Sequence, residues 1–157
     1  NNAEIAMAVA TLSMQAKDYA AADIQLRRAL EIGAKDPDMV RMYLGQVNEE
    51  MKRVDEALKW YSSITHGAQY IPAQARYAGV LAKQGRLEDA RKHLRSIAPG
   101  DARQRMQLTL AEAALLREAQ AYQEAFDFLA EAVARTPDSA DLLYDHAMAA
   151  EKVNRLD

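Results

Sequence analysis

The chain has 157 residues, half of them hydrophobic and 27% charged, with a formal net charge of −3. That composition is globular rather than disordered, and it provides no overall basic field to attract nucleic acid. The absence of cysteine excludes a disulfide scaffold, a Cys-ligated metal and a thiol nucleophile.

Ala, Leu, Glu, Gln, Lys, Arg and Met dominate, Val, Ile and Thr are sparse, and there are only four prolines and six glycines. Such a chain is expected to be all-α. No stretch of about 20 apolar residues is present, so no transmembrane helix and no direct membrane insertion are expected. The opening "NNAEIAMAVATL" lacks an initiator Met and a basic leader, and reads as the start of an excised or processed piece.

In chain order, helical stretches are expected at about residues 3–15, 38–51, 71–83, 103–117 and 139–152. Between them lie four segments that align with one another: "DYAAADIQLRRAL" from Asp18, "RVDEALKWYSSI" from Arg53, "RLEDARKHLRSI" from Arg86 and "AYQEAFDFLAEAV" from Ala121. Tyr19, Val54, Leu87 and Tyr122 head the segments. Ala22, Ala57, Ala90 and Ala125 follow three residues later, then Leu26, Tyr61, Leu94 and Leu129, then Ala29, Ile64, Ile97 and Ala132. These offsets place all four columns on one helical stripe. Small residues at Ala10, Gly45, Ala78, Ala113 and Ala147 suit close crossing of the preceding helices. The unit is helix, turn, helix, with a proline boundary at Pro37, Pro99 or Pro137, and one such pair needs a neighbour to cover its apolar face. Leu156 continues the first column and predicts the start of a further second helix.

A helical pair recurring at this period resembles the tetratricopeptide repeat. The resemblance implies a single right-handed α-solenoid of antiparallel helix pairs over 1–157. Its repeats would be at about 3–37, 38–70, 71–105 and 106–139, with a half repeat at 140–157 cut from a longer solenoid. The aromatic that the family places early in the first helix is missing, since that column reads Ala6, Arg41, Gln74, Thr109 and Leu143.

No enzyme, metal or cofactor is expected. His66 falls in a turn, His93 pairs with Asp89 one helical turn back, and His146 lies in a column expected to pack on the following helix. The carboxylates are expected on solvated faces, and so are the basic clusters Arg27-Arg28, Arg91-Lys92 with Arg95, and Arg103 with Arg105.

The resemblance also implies that partners bind in a concave groove lined by the first helix of each pair. In this sequence its lining reads Met7, Thr11 and Met14, then Met39, Met42, Gln46 and Glu49. It continues with Ala75, Gly79 and Lys83, then Gln107, Leu110, Ala114 and Arg117, then Tyr144 and Met148. The Lys, Asn and Arg with which chaperone-binding members clamp a C-terminal carboxylate are replaced by Met7, Thr11, Met42, Gln46, Ala75 and Gly79. An apolar or amphipathic segment of a partner protein is therefore the expected ligand, held by a neutral, Met-rich, adaptable surface. The stretch "DLLYDHAMAAEKVNRLD" is similar to bacterial cell-envelope tetratricopeptide lipoproteins that present substrates to periplasmic proteases, which implies an adaptor role in the envelope. A second reading is homo-oligomerisation through Leu142, His146 and Ala149, which would lie on the open face of the last helix if the solenoid ended at Asp157.

Overall fold

Nine helices and no strand occur among the described residues, 2–154, of the computed structural model. They are α1 (Asn2–Gln15), α2 (Tyr19–Glu31), α3 (Pro37–Glu50), α4 (Val54–Ser62), α5 (Tyr70–Lys83), α6 (Leu87–Arg95), α7 (Ala102–Glu118), α8 (Tyr122–Arg135) and α9 (Ala140–Lys152). Each of the five odd-numbered helices falls within one residue of its expected bounds, and the even-numbered helices start at Tyr19, Val54, Leu87 and Tyr122. Leu156 lies outside the described residues.

Local chemistry sets these bounds. Asp18, Asp36, Asp101 and Ser139 cap α2, α3, α7 and α9, each side-chain oxygen accepting from a backbone N–H of the first turn. The turn from each odd-numbered helix to its partner is built one way. Lys17, Lys52, Gly85 and Gln120 take positive φ of 59°, 61°, 78° and 59°. The next residue then donates its N–H back to the carbonyl five residues earlier, as Asp18 does to Ser13 and Arg53 to Asn48, both at 2.8 Å. This is the left-handed closure that satisfies the orphan carbonyls of a helix end. Only the third copy spends a glycine on it.

The chain forms two compact units, Asn1–Val80 and Leu81–Asp157. In the first, α1 packs on α2, α2 on α3 and α3 on α4. Ala6, Ala10, Ala22, Leu26, Ala29, Val40, Leu44 and Val47 form its core, with Met7, Met14, Tyr19 and Trp60 against the edge. Burying each large apolar side chain here stabilises by about 1.5–3 kcal/mol. A second cluster joins Met42, Ala57, Tyr61, Ile64, Ala73 and Val80. Gly45 permits the crossing beneath it, because a Cβ there would lie 2.2 Å from Cε1 of Tyr61.

The second, third and fourth columns of the repeating stripe are buried and the first is half-buried, and Ile64 and Ile97 belong to turns rather than to helices. The helices α4 and α6 stop at Ser62 and Arg95. The next residues, Ser63 and Ser96, donate their hydroxyls to the carbonyls of Trp60 and His93, both at 2.6 Å. Such local bonds compete with continuation of the helix.

In the second unit α6 packs on α7, α7 on α8, and α9 on both α7 and α8. Its core holds Ala113, Leu129, Ala132, Leu142 and Ala149, edged by Met106, Leu110, Phe126, Phe128 and Val133. Leu142 and Ala149, expected on an open face, are buried, because they occupy the side of α9 that meets α8. His146 stacks on Phe126 of α8 at 4.7 Å between ring centroids, so among the described residues it packs on the preceding helix. The small residue Ala147 is exposed, unlike Ala10, Ala78 and Ala113, and so is Leu143. Both belong to the side of α9 that in the other pairs meets the partner helix.

Candidate functional site

In the first unit the groove positions divide. Met7, Met14, Met39, Gln46, Glu49, Ala75 and Gly79 are half-buried and Thr11 is exposed. Met42 is not a surface residue. It is 7% exposed and packs with Ala57 and Tyr61, since α3 turns this position toward α4. Glu49 accepts a hydrogen bond from the Tyr61 hydroxyl, and Arg76 Nη1 stands 4.0 Å from the same carboxylate. Burial, followed by the bond to Glu49, pushes the Tyr61 hydroxyl pKa well above the ordinary tyrosine value. Gly79 faces open space, with nothing within 4 Å of a built Cβ.

In the second unit Lys83 and Arg117 are exposed, and Gln107, Leu110 and Ala114 are half-buried. Tyr144 and Met148 of α9 are 66% and 37% exposed. They lie one turn apart on the helix, so they share a face. Arg117 Nη1 stands 3.9 Å from Asp145 Oδ1, linking α7 to α9. The apolar groove positions here are half-buried Leu110 and Ala114 of α7 and exposed Tyr144 and Met148 of α9.

Two carboxylates expected on solvated faces are buried instead. Asp23 accepts from Arg27 Nε at 2.7 Å and from Asn48 Nδ2 at 2.8 Å, and Arg27 reaches on to Glu56 at 3.2 Å while lying over the Trp60 ring. Glu112, 5% exposed, accepts from Arg91 Nε at 2.9 Å and from Arg95 Nη2 at 2.5 Å. The Arg91 side chain is only 13% exposed and is no solvated surface cation. It also reaches Glu88 and Glu124, both at 3.1 Å, and so ties α6 to α7 and α8. Burial lowers the Arg91 pKa, but the bonds to Glu112 and Glu88 outweigh it and the net shift is upward. Each buried carboxylate is consumed by arginine, an arrangement for holding helices together.

One sequence signal could have exposed Glu112. Its column reads Val9, Leu44, Tyr77, Glu112 and His146, so an acid stands where three other copies are apolar.

Three large apolar residues of α1, Ile5, Val9 and Leu12, are exposed. They share register with Leu142, His146 and Ala149, which α9 packs on α8. No helix among the described residues covers them.

The protein-family model described as a tetratricopeptide repeat-like domain matches residues 2–115. The chain belongs to this family. It is 33% identical over 119 residues to a tetratricopeptide repeat-containing protein of Pseudomonas aeruginosa, a match covering 76% of this chain and 20% of that protein. The chain thus spans about a fifth of that relative's length. Among solved structures, a tetratricopeptide repeat protein from Parabacteroides merdae superposes with a TM-score of 0.64 at 13% identity, covering 98% of this chain and 59% of that one. The structure of Naa15/Naa10 bound to HypK-THB superposes with a TM-score of 0.59 at 18% identity, covering 94% and 23%. These likenesses show the fold, an all-α helical-repeat solenoid of the tetratricopeptide type. Proteins of this family are in general protein-interaction scaffolds.

Proposed function

We propose that this tetratricopeptide repeat chain is an adaptor that holds an apolar or amphipathic segment of a partner protein against the odd-numbered helices of its repeats. The exposure of Tyr144 and Met148, with half-buried Leu110 and Ala114 at the matching register of α7, carries the reading. An aromatic and a flexible thioether held in water on a folded helix form an apolar surface able to re-pack around different side chains. Half-buried Met7, Met14 and Met39 give the first unit a similar character. The clamp positions Met7, Thr11, Gln46, Ala75 and Gly79 offer no cation to a carboxylate, so recognition rests on apolar area.

Panning a displayed library of short peptides against the whole chain tests the reading. Apolar or amphipathic sequences are expected to be enriched, and the double variant Tyr144→Glu, Met148→Glu is expected to lose them with unchanged circular dichroism. Enrichment of acidic C-terminal tails, or equal binding by the double variant, would refute it. Met42→Glu is unsuitable as a test, because it would bury a charge in the core of the first unit.

A further inference from the structure

The second unit contains a half-open cavity of about 670 Å³ on the side of α7 away from Leu110 and Ala114. Its origin lies in helix length. The nine residues of α6 end at Arg95, whereas α8 runs for fourteen. The last turns of α8 therefore overhang a space that a longer α6 would occupy, and α7 forms the floor.

The first unit has the same short helix and fills the corresponding place. There Gln74 of α5 donates Nε2 to the carbonyls of Ile64 at 3.1 Å and Tyr61 at 3.5 Å. The residues in the same register of the second unit are Thr109, Ile97 and Leu94. Thr109 is shorter, and its hydroxyl donates to Arg105 O of its own helix at 2.9 Å. Nothing replaces the glutamine plug, and Leu94, Ile97 and Thr109 all line the opening.

The lining chemistry selects a ligand. Leu94, Ile97, Leu108 and Phe128 supply apolar wall. Three arginines, Arg95, Arg105 and Arg135, share the cavity with two carboxylates, Glu112 and Glu131. Both carboxylates are occupied, Glu112 by Arg91 and Arg95 and Glu131 by Arg135 at 3.2 Å. Arg105 pairs with no carboxylate among the described residues. The volume lies within the range of small-molecule sites, about 300–1,000 Å³. An apolar chamber with an uncommitted guanidinium suits a ligand with a hydrocarbon body and one negative head.

We propose that this cavity binds a medium-chain aliphatic carboxylate, its chain among Leu94, Ile97, Leu108 and Phe128 and its head on Arg105. The site is independent of the peptide surface on the other side of α7.

Isothermal titration calorimetry on the whole chain, with dodecanoate kept below its micelle concentration, tests this. One dodecanoate is expected to bind per chain, and dodecyltrimethylammonium and methyl dodecanoate about tenfold more weakly. The ester arm separates a free acid from an acyl group carried on another molecule. Arg105→Glu is expected to weaken dodecanoate binding by about tenfold. Thr109→Gln copies the plug of the first unit and is expected to abolish binding without loss of helicity. Absence of dodecanoate binding overturns the proposal, as does equal binding of cation or ester. Unchanged affinity in folded Thr109→Gln also overturns it. If Thr109→Gln does not fold, Arg105→Glu decides by the same criterion.

Discussion

Placing alanine at two helix-interior glycines of the first unit should change stability in opposite directions. Gly→Ala in a helix interior favours the folded state by about 1 kcal/mol through backbone entropy. At Gly79 a new Cβ meets nothing within 4 Å, so Gly79→Ala should keep that gain. At Gly45 the Cβ would stand 2.2 Å, 2.5 Å and 2.7 Å from Cε1, Cζ and Cδ1 of Tyr61, well inside ordinary carbon–carbon contact of about 3.5–4.0 Å. The ring cannot retreat freely, because it is fully buried and its hydroxyl is bonded to Glu49. Overpacking costs about 1–3 kcal/mol, and breaking a hydrogen bond to a carboxylate about 1.5–3 kcal/mol more. After the entropy gain, Gly45→Ala should destabilise the first unit by about 1.5–5 kcal/mol. Equilibrium urea unfolding followed by Trp60 fluorescence reports on this unit, since Trp60 is the chain's single tryptophan and packs against the core there. A Gly45→Ala midpoint at or above wild type would refute the crossing argument, as would a Gly79→Ala loss as large as that of Gly45→Ala.

In the second unit, Glu112→Ala strips Arg91 of its most buried partner and should cost about 3 kcal/mol, with Glu112→Leu, Arg91→Leu together recovering much of the loss. Thermal unfolding by circular dichroism measures both, and a loss below about 1 kcal/mol would mean that the network behaves as solvated surface pairs. The raised Tyr61 pKa implies an alkaline limit for the first unit. The unfolded chain ionises this hydroxyl near pH 10 while the folded chain retains the proton, so its contribution is intact below about pH 10 and is lost as pH rises beyond it. Tyr61→Phe should flatten that alkaline loss in urea titrations, and an unchanged pH profile would count against the assignment.

Helix type, helix starts and the four-column stripe were legible in the sequence, because they follow from local propensity, capping and period, which each segment carries by itself. Ala22, Ala57, Ala90 and Ala125 are all buried, as their spacing requires. Tertiary structure decided which face of each helix a neighbour takes. Register alone puts Met42 in a groove, yet the rotation of α3 against α4 directs it into the core. The repeat pattern alone does not say that α8 covers Leu142 and Ala149 and leaves Tyr144 and Met148 in water. Pairing between elements was equally hidden: Arg91 with Glu112 depends on two helices meeting at one height, and Gln74 with Ile64 depends on where α5 meets the turn after α4. By period α6 is one more copy of the stripe, and only the packed unit shows that its early end opens a cavity under α8. Periodicity specifies an element and its apolar side, whereas burial, ion pairing and cavities depend on the fit between elements, which no single segment encodes.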